Sequence, residues 1–129
     1  MPKVSTDNDA SAIGRLVGIT LDCVDPAALT ELYRALSGWD VSYADDDVVV
    51  LGDGPTRLGL QRVGDHRPPT WPGADKQLHL DFTVANLEEA ERRVLALGAV
   101  KPAFQPGGDR WRVYQDPAGH PFCLSTSNA

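Results

Sequence analysis

Twice along this chain, about sixty residues apart, an alternating strand runs into a capped amphipathic helix and then into short strands. This internal repeat limits the fold more than any other feature. In the first copy, Ile19, Leu21 and Cys23 alternate with Gly18, Thr20 and Asp22 within residues 17–24, the two-residue period of a strand with one covered face. Asp25 is placed to cap the next helix and Pro26 suits its first turn, while Leu29, Leu32, Tyr33 and Leu36 recur at helical spacing until Ser37 and Gly38. Strands are then expected over residues 39–43, 47–51 and 57–62, divided by the turn sequences DDD and GDGP.

In the second copy, Leu78, Leu80, Phe82 and Val84 share one face of a strand, and His79, Asp81 and Thr83 share the other. Asn86 takes the place of Asp25. A helix over 87–97 turns Leu87, Ala90, Val94 and Leu97 inward and stops at Gly98, and strands are expected over 103–105, 110–115 and 122–125. The organisation expected is therefore a flexible tail over 1–13 and a single domain over 14–127, made of a module at 14–62, a proline-rich linker at 63–76 and a module at 77–127. Neither module has enough surface to bury both a sheet face and a helix alone. The expected fold is α+β, two βαβββ modules paired into a cupped mixed sheet with the helices on its convex face. Thr20, Asp22, His79, Asp81 and Thr83 would then line a concave cavity suited to a small organic ligand.

Composition narrows the partners. The net charge of -6 repels phosphate backbones and anionic lipid, so neither nucleic acid nor membrane is expected. No run approaches the roughly 20 apolar residues of a membrane helix. The opening MPKVSTDNDASA has no apolar segment of the signal-peptide kind, which makes the cytoplasm the expected location and keeps Cys23 and Cys123 as thiols.

The stretches GITLDCVDPAALTELYRALSGW, HLDFTVANLEEAERRVLALGA and DPAGHPFCL, with PPTWP between the copies, resemble the vicinal oxygen chelate superfamily of glyoxalase I, bleomycin-resistance proteins and extradiol dioxygenases. The likeness is to its glyoxalase-like branch and covers residues 14–126. It implies a homodimer. It also implies that metal-dependent relatives hold a divalent ion with four inward side chains, one near the start and one on the last strand of each module. Those positions fall here on Gly18, Gln61, His79 and Cys123, and glycine has no donor atom.

A neutral amide and a thiol are a poor set for Mg, Mn or Fe(II), which favour carboxylate and imidazole. No cofactor is expected. The metal alternative is a zinc ion gathering His79, Cys123 and one of the aspartates of inward parity, Asp22 or Asp81, with His120 near the last strand. Cys123 also reads as a small buried thiol, and His79 as a pocket histidine, a ligand-contacting base supported by a carboxylate, or a metal ligand.

Trp71 among prolines and Trp111 on a strand each read either as a flat wall for a planar ligand or as a core plug. Arg57 has cavity parity and could meet an anionic ligand. Two functions follow. The first is a small-molecule-binding protein of sequestering or resistance type without the complete metal site, using His79, Asp81, Thr20, Asp22, Arg57, Gln61, Trp71, Trp111 and Cys123. The alternative is an enzyme, either a metal-dependent lyase or isomerase of glyoxalase type or a metal-free proton-transfer catalyst built on His79.

Overall fold

The computed structural model of the chain describes residues 12–73 and 78–126. Most of the expected tail, the end of the linker, Gln77 and residue 127 lie outside the described residues. The elements run β1 (Gly18–Cys23), α1 (Pro26–Ser37), β2 (Val41–Ala44), β3 (Val48–Leu51), β4 (Arg57–Arg62), β5 (Leu80–Thr83), α2 (Leu87–Ala96), β6 (Trp111–Gln115) and β7 (Pro121–Ser125). Hydrogen bonding divides the strands into two mixed sheets, β1-β4-β3-β2 and β5-β7-β6, so the architecture is α+β. Each module opens with a parallel pair, β1 on β4 and β5 on β7, which its helix has to cross over to make.

The helices start and stop where the sequence places them. The Asp25 side chain accepts from the Ala27 amide, the Asn86 side chain accepts from the Glu89 amide, and α1 ends at Gly38 in the left-handed region at φ 73°. Leu29, Leu32 and Tyr33 are fully or almost fully buried on α1, whereas Val94 is the buried residue of α2. The two apolar clusters trade members across the modules. Ala118 of the second module packs with Leu21, Leu51 and Leu60, and Leu32 of the first packs with Val94, Phe122 and Leu124. At roughly 1.5–3 kcal/mol for each large apolar side chain buried, this exchange makes the two modules one packed body.

A second tie is polar. Tyr33 on α1 donates to Asp116 at 2.6 Å, and the other oxygen of Asp116 accepts from the amides of Ala118 and His120 at 2.8 and 3.0 Å. Module 1 thereby holds the DPAGHP turn that leads into β7.

Two expectations need correction. The strand expected over 39–43 begins two residues later, because Trp39 follows the left-handed Gly38 and is not yet in the ladder. The strand expected over 103–105 is absent, so the second copy has three strands and not four among the described residues. Its place is taken by a side chain: the Gln105 amide accepts from the Val113 N–H and donates to the Val113 carbonyl, both at 2.9 Å, supplying the two bonds a neighbouring strand would have made. The paired α+β architecture is as expected, its strands bonded in one ladder of four and one of three.

Candidate functional site

Strand parity sets the site. On β1 the side chains of Leu21 and Cys23 are buried and those of Thr20 and Asp22 exposed, and on β4 Leu58 and Leu60 are buried while Arg57 and Gln61 are exposed. Thr20 stands opposite Gly59 and Asp22 opposite Gln61. A Cβ at Gly59 would come within 3.0 Å of the Thr20 hydroxyl oxygen, so the glycine makes room for Thr20 on this face. On the second sheet Asp81 faces Cys123 across the ladder, Thr83 faces Ser125, and His79 precedes Asp81 by one strand period.

Two groups emerge from this placement. The first is a cavity of about 450 Å³ where the modules meet, lined by Thr20, Leu21 and Asp22 of β1, His66, Arg67 and Pro69 of the linker, Leu78, and His120. Backbone carbonyls fix its two imidazoles: His66 donates through Nε2 to Ala118 at 2.8 Å, and His120 donates through Nε2 to Asp22 at 2.7 Å. That assignment leaves both Nδ1 atoms as acceptors in the neutral rings. The rings lie 5.2 Å apart between centroids. The linker is seated on the DPAGHP turn, because Gly119 has φ 89° and a Cβ there would fall 2.4 Å from Cβ of Pro68. The cavity wall thus combines one carboxylate, one guanidinium, two imidazoles, a hydroxyl and an apolar floor, a set able to orient a small polar or anionic molecule.

The second group is a cluster on the β5–β7 pair. His79 Nδ1 lies 3.1 Å from Asp81 Oδ1 and 3.8 Å from Cys123 Sγ. Cys123 is buried, and the other two side chains are exposed. On module 1, burial and then the charges of Asp116 and Asp25 push the Cys23 thiol up to about 11, consistent with an inert core residue.

The structure therefore gathers Thr20 and Asp22 in the cavity, with Leu78, two residues before β5, on its wall, and joins His79, Asp81 and Cys123. Arg57 and Gln61 lie on the same outward face of module 1 without lining the cavity. Trp71 is half-buried in the linker. Trp111 is half-buried with its indole against the QPGGD turn, where a Cβ on Gly107 would fall 2.3 Å from the ring. A larger hollow of about 510 Å³ lies between Trp39 and the GDGP turn and holds none of the expected residues. Sequence reading missed His66 and Arg67. Their only signal was a His-Arg pair inside a proline-rich linker, and both contacts that fix the imidazoles end on backbone carbonyls.

The four-position ion of metal-dependent relatives does not fit these residues. Gly18 has no donor, and a Cβ there would come within 3.3 Å of the Arg57 carbonyl oxygen. Gln61 offers only a neutral amide, on a different sheet from His79 and Cys123. Among the described residues, the group of three His, Cys, Asp or Glu side chains whose ligand atoms converge is His79, Asp81 and Cys123, all from module 2.

Two paired modules, each crossing over through one helix, with a polar cavity at their junction, define the class of fold. The family model of the glyoxalase-like domain matches residues 18–125, and the chain belongs to that family, within the vicinal oxygen chelate superfamily. Among solved structures, the fosfomycin resistance protein of Mesorhizobium loti superposes with a TM-score of 0.69 at 18% identity, covering 91% of this chain and 94% of that one. A glyoxalase-related enzyme from Fulvimarina pelagi gives 0.65 at 20% identity over 88% of each chain. The bleomycin-binding protein of Streptomyces verticillus, solved with copper(II)-bleomycin, gives 0.55 at 16% identity over 91% and 99%. These likenesses are in fold. The curated proteins include no match.

Proposed function

We propose that the chain is a small-molecule-binding glyoxalase-like protein of sequestering or resistance type, working without the family's complete metal site. The observation that carries this reading is the cavity of about 450 Å³ between the modules, with Thr20, Asp22, His66, Arg67 and His120 on its wall. Its polar groups are few and fixed by strands or backbone contacts, and Leu21, Leu78 and Pro69 supply apolar surface, the balance expected of a small-ligand site. Arg67 favours a planar or carboxylated molecule with one anionic end, and the Nδ1 acceptors of His66 and His120 suit a hydroxyl or N–H on the same molecule. The bleomycin-binding relative supports a sequestering role by fold. The working unit is a cytoplasmic homodimer that engages neither nucleic acid nor membrane; among the described residues no helix is long and apolar enough to cross one.

Titration calorimetry and tryptophan fluorescence against metabolites and antibiotics test the reading. One compound should bind one-to-one, and Arg67→Ala should weaken it about ten- to hundredfold, the loss of one charge-assisted contact worth roughly 1.5–3 kcal/mol. A library that yields no binder, or a binder indifferent to Arg67, defeats the proposal.

A second reading rests on a separate observation, the 3.1 Å approach of His79 Nδ1 to Asp81. A carboxylate beside an imidazole orients it, which suits a proton-transfer catalyst or a lyase or isomerase of glyoxalase type. In that case His79→Ala abolishes turnover of an identified substrate while thermal unfolding is unchanged; retained turnover removes it.

A further inference from the structure

The geometry points to a zinc-type metal site made by module 2 alone, with His79, Asp81 and Cys123 as its three protein ligands. The donor atoms of these residues all lie within 4.8 Å of one another, and two of the separations are 3.1 and 3.8 Å. A tetrahedral ion with bonds of about 2.0–2.3 Å to oxygen, nitrogen and sulfur needs its ligand atoms about 3.3–3.6 Å apart. Nδ1 thus requires only a few tenths of an ångström of adjustment toward each partner, while the Asp81 oxygen and Cys123 Sγ close to the same range from a separation of at most 4.8 Å. The strands provide the alignment, since Asp81 and Cys123 are register partners and His79 lies one strand period before Asp81 on the same face.

The arrangement also excludes a catalytic relay of thiol, imidazole and carboxylate. A relay places the carboxylate on one ring nitrogen and the nucleophile on the other. Here both neighbours approach the same Nδ1, which is how groups converge on a shared centre. A set of one thiolate, one imidazole and one carboxylate selects a borderline cation such as zinc over magnesium, calcium or manganese, which prefer oxygen. The site keeps two of the four positions used by metal-dependent relatives, His79 and Cys123, and replaces the module 1 ligands with Asp81, so that it lies on one sheet and includes a thiolate. With Cys123 buried and His79 and Asp81 exposed, the fourth position opens to solvent, the pattern of a site that can accept an exogenous ligand.

The test uses the full-length chain without an affinity tag, stripped of metal and titrated with Co(II), Zn(II) and Mn(II). The expected result is one equivalent of Co(II) with a thiolate-to-cobalt charge-transfer band in the near ultraviolet, displaced by Zn(II), and no Mn(II) binding. Cys123→Ser should abolish that band. His79→Gln and Asp81→Asn, at exposed positions that leave the core intact, should each weaken binding at least about tenfold, since even indirect supports of a metal ligand are worth that much. Absence of the band in the wild type overturns the inference. So does a bound ion that survives the exposed-site variants, or one that Gln61→Ala removes, which would assign it to both modules. These readouts are spectroscopic and independent of whether an organic ligand occupies the cavity.

Discussion

The first module buries Cys23, Leu51 and Leu60 completely beneath α1 and presents Gly18, Thr20, Asp22 and Gly59 on its other face. The second module covers a narrower sheet with a helix that buries only Val94 deeply, and holds that helix with charge. Glu88 and Glu91 of α2 meet Arg112 of β6; Glu91 also pairs with Lys101 at 2.8 Å and accepts from the Tyr114 hydroxyl at 2.7 Å. Its outward face carries the imidazole, carboxylate and thiol. The repeated plan has thus been divided: an apolar platform in one half and most of the reactive side chains in the other. Surface ion pairs contribute about 0–1 kcal/mol each, so α2 depends more than α1 on what module 1 lends it, notably Leu32.

That dependence can be broken at its polar tie. Asp116→Ala strands the buried Tyr33 hydroxyl and two amides of the DPAGHP turn, and should cost about 3–5 kcal/mol in urea unfolding. A loss below about 1 kcal/mol would mean that the modules are joined by apolar contact alone. Gln105→Ala attacks module 2 by itself, leaving both polar groups of the fully buried Val113 unmatched, and should cost about 2–4 kcal/mol.

Alkaline titration separates the contributions further. Burial, then the Asp116 charge, pushes the Tyr33 hydroxyl far above its ordinary 10.0, and burial with the Glu91 contact raises Tyr114 in the same direction. A group that keeps its proton longer when folded contributes stability that is complete below its unfolded value and is lost above it. Urea midpoints should therefore hold steady from neutral pH to about pH 9 and fall above about pH 10, and Tyr33→Phe should flatten part of that fall. The smallest expected effect compares the helix caps: Asn86→Ala and Asp25→Ala should each cost about 1 kcal/mol. A much larger loss at Asn86 would show α2 to be the weaker helix.

The repeat, both helices and the parity of β1, β4 and β5 were legible because period, caps and glycine stops are local signals. Strand parity likewise set Thr20 with Asp22, and Asp81 with Thr83, on one face of their strands. The missing strand was not legible, since the side chain of Gln105 does what a backbone ordinarily does and composition cannot show it. Nor were His66 and Arg67, whose position depends on a linker seated against Gly119 and on carbonyl acceptors that every residue possesses.

The Gln105 amide has one more consequence, at the rim of the molecule. β1 and β5 turn toward the junction, where Ile19, Leu80 and Phe82 join one cluster, which leaves β2 and β6 as the outer edges. Along β6, Gln115 bonds Val100 in both directions at 2.8 Å and Val113 is matched by Gln105. Its hydrogen-bonding groups at these positions are spent, and the strand is a poor template for a foreign chain. Among the described residues β2 has no such cover and is exposed along its whole length with Val41 and Tyr43 outward. Growth by strand addition, whether into an ordered assembly or an aggregate, is thereby steered to one side of the protein.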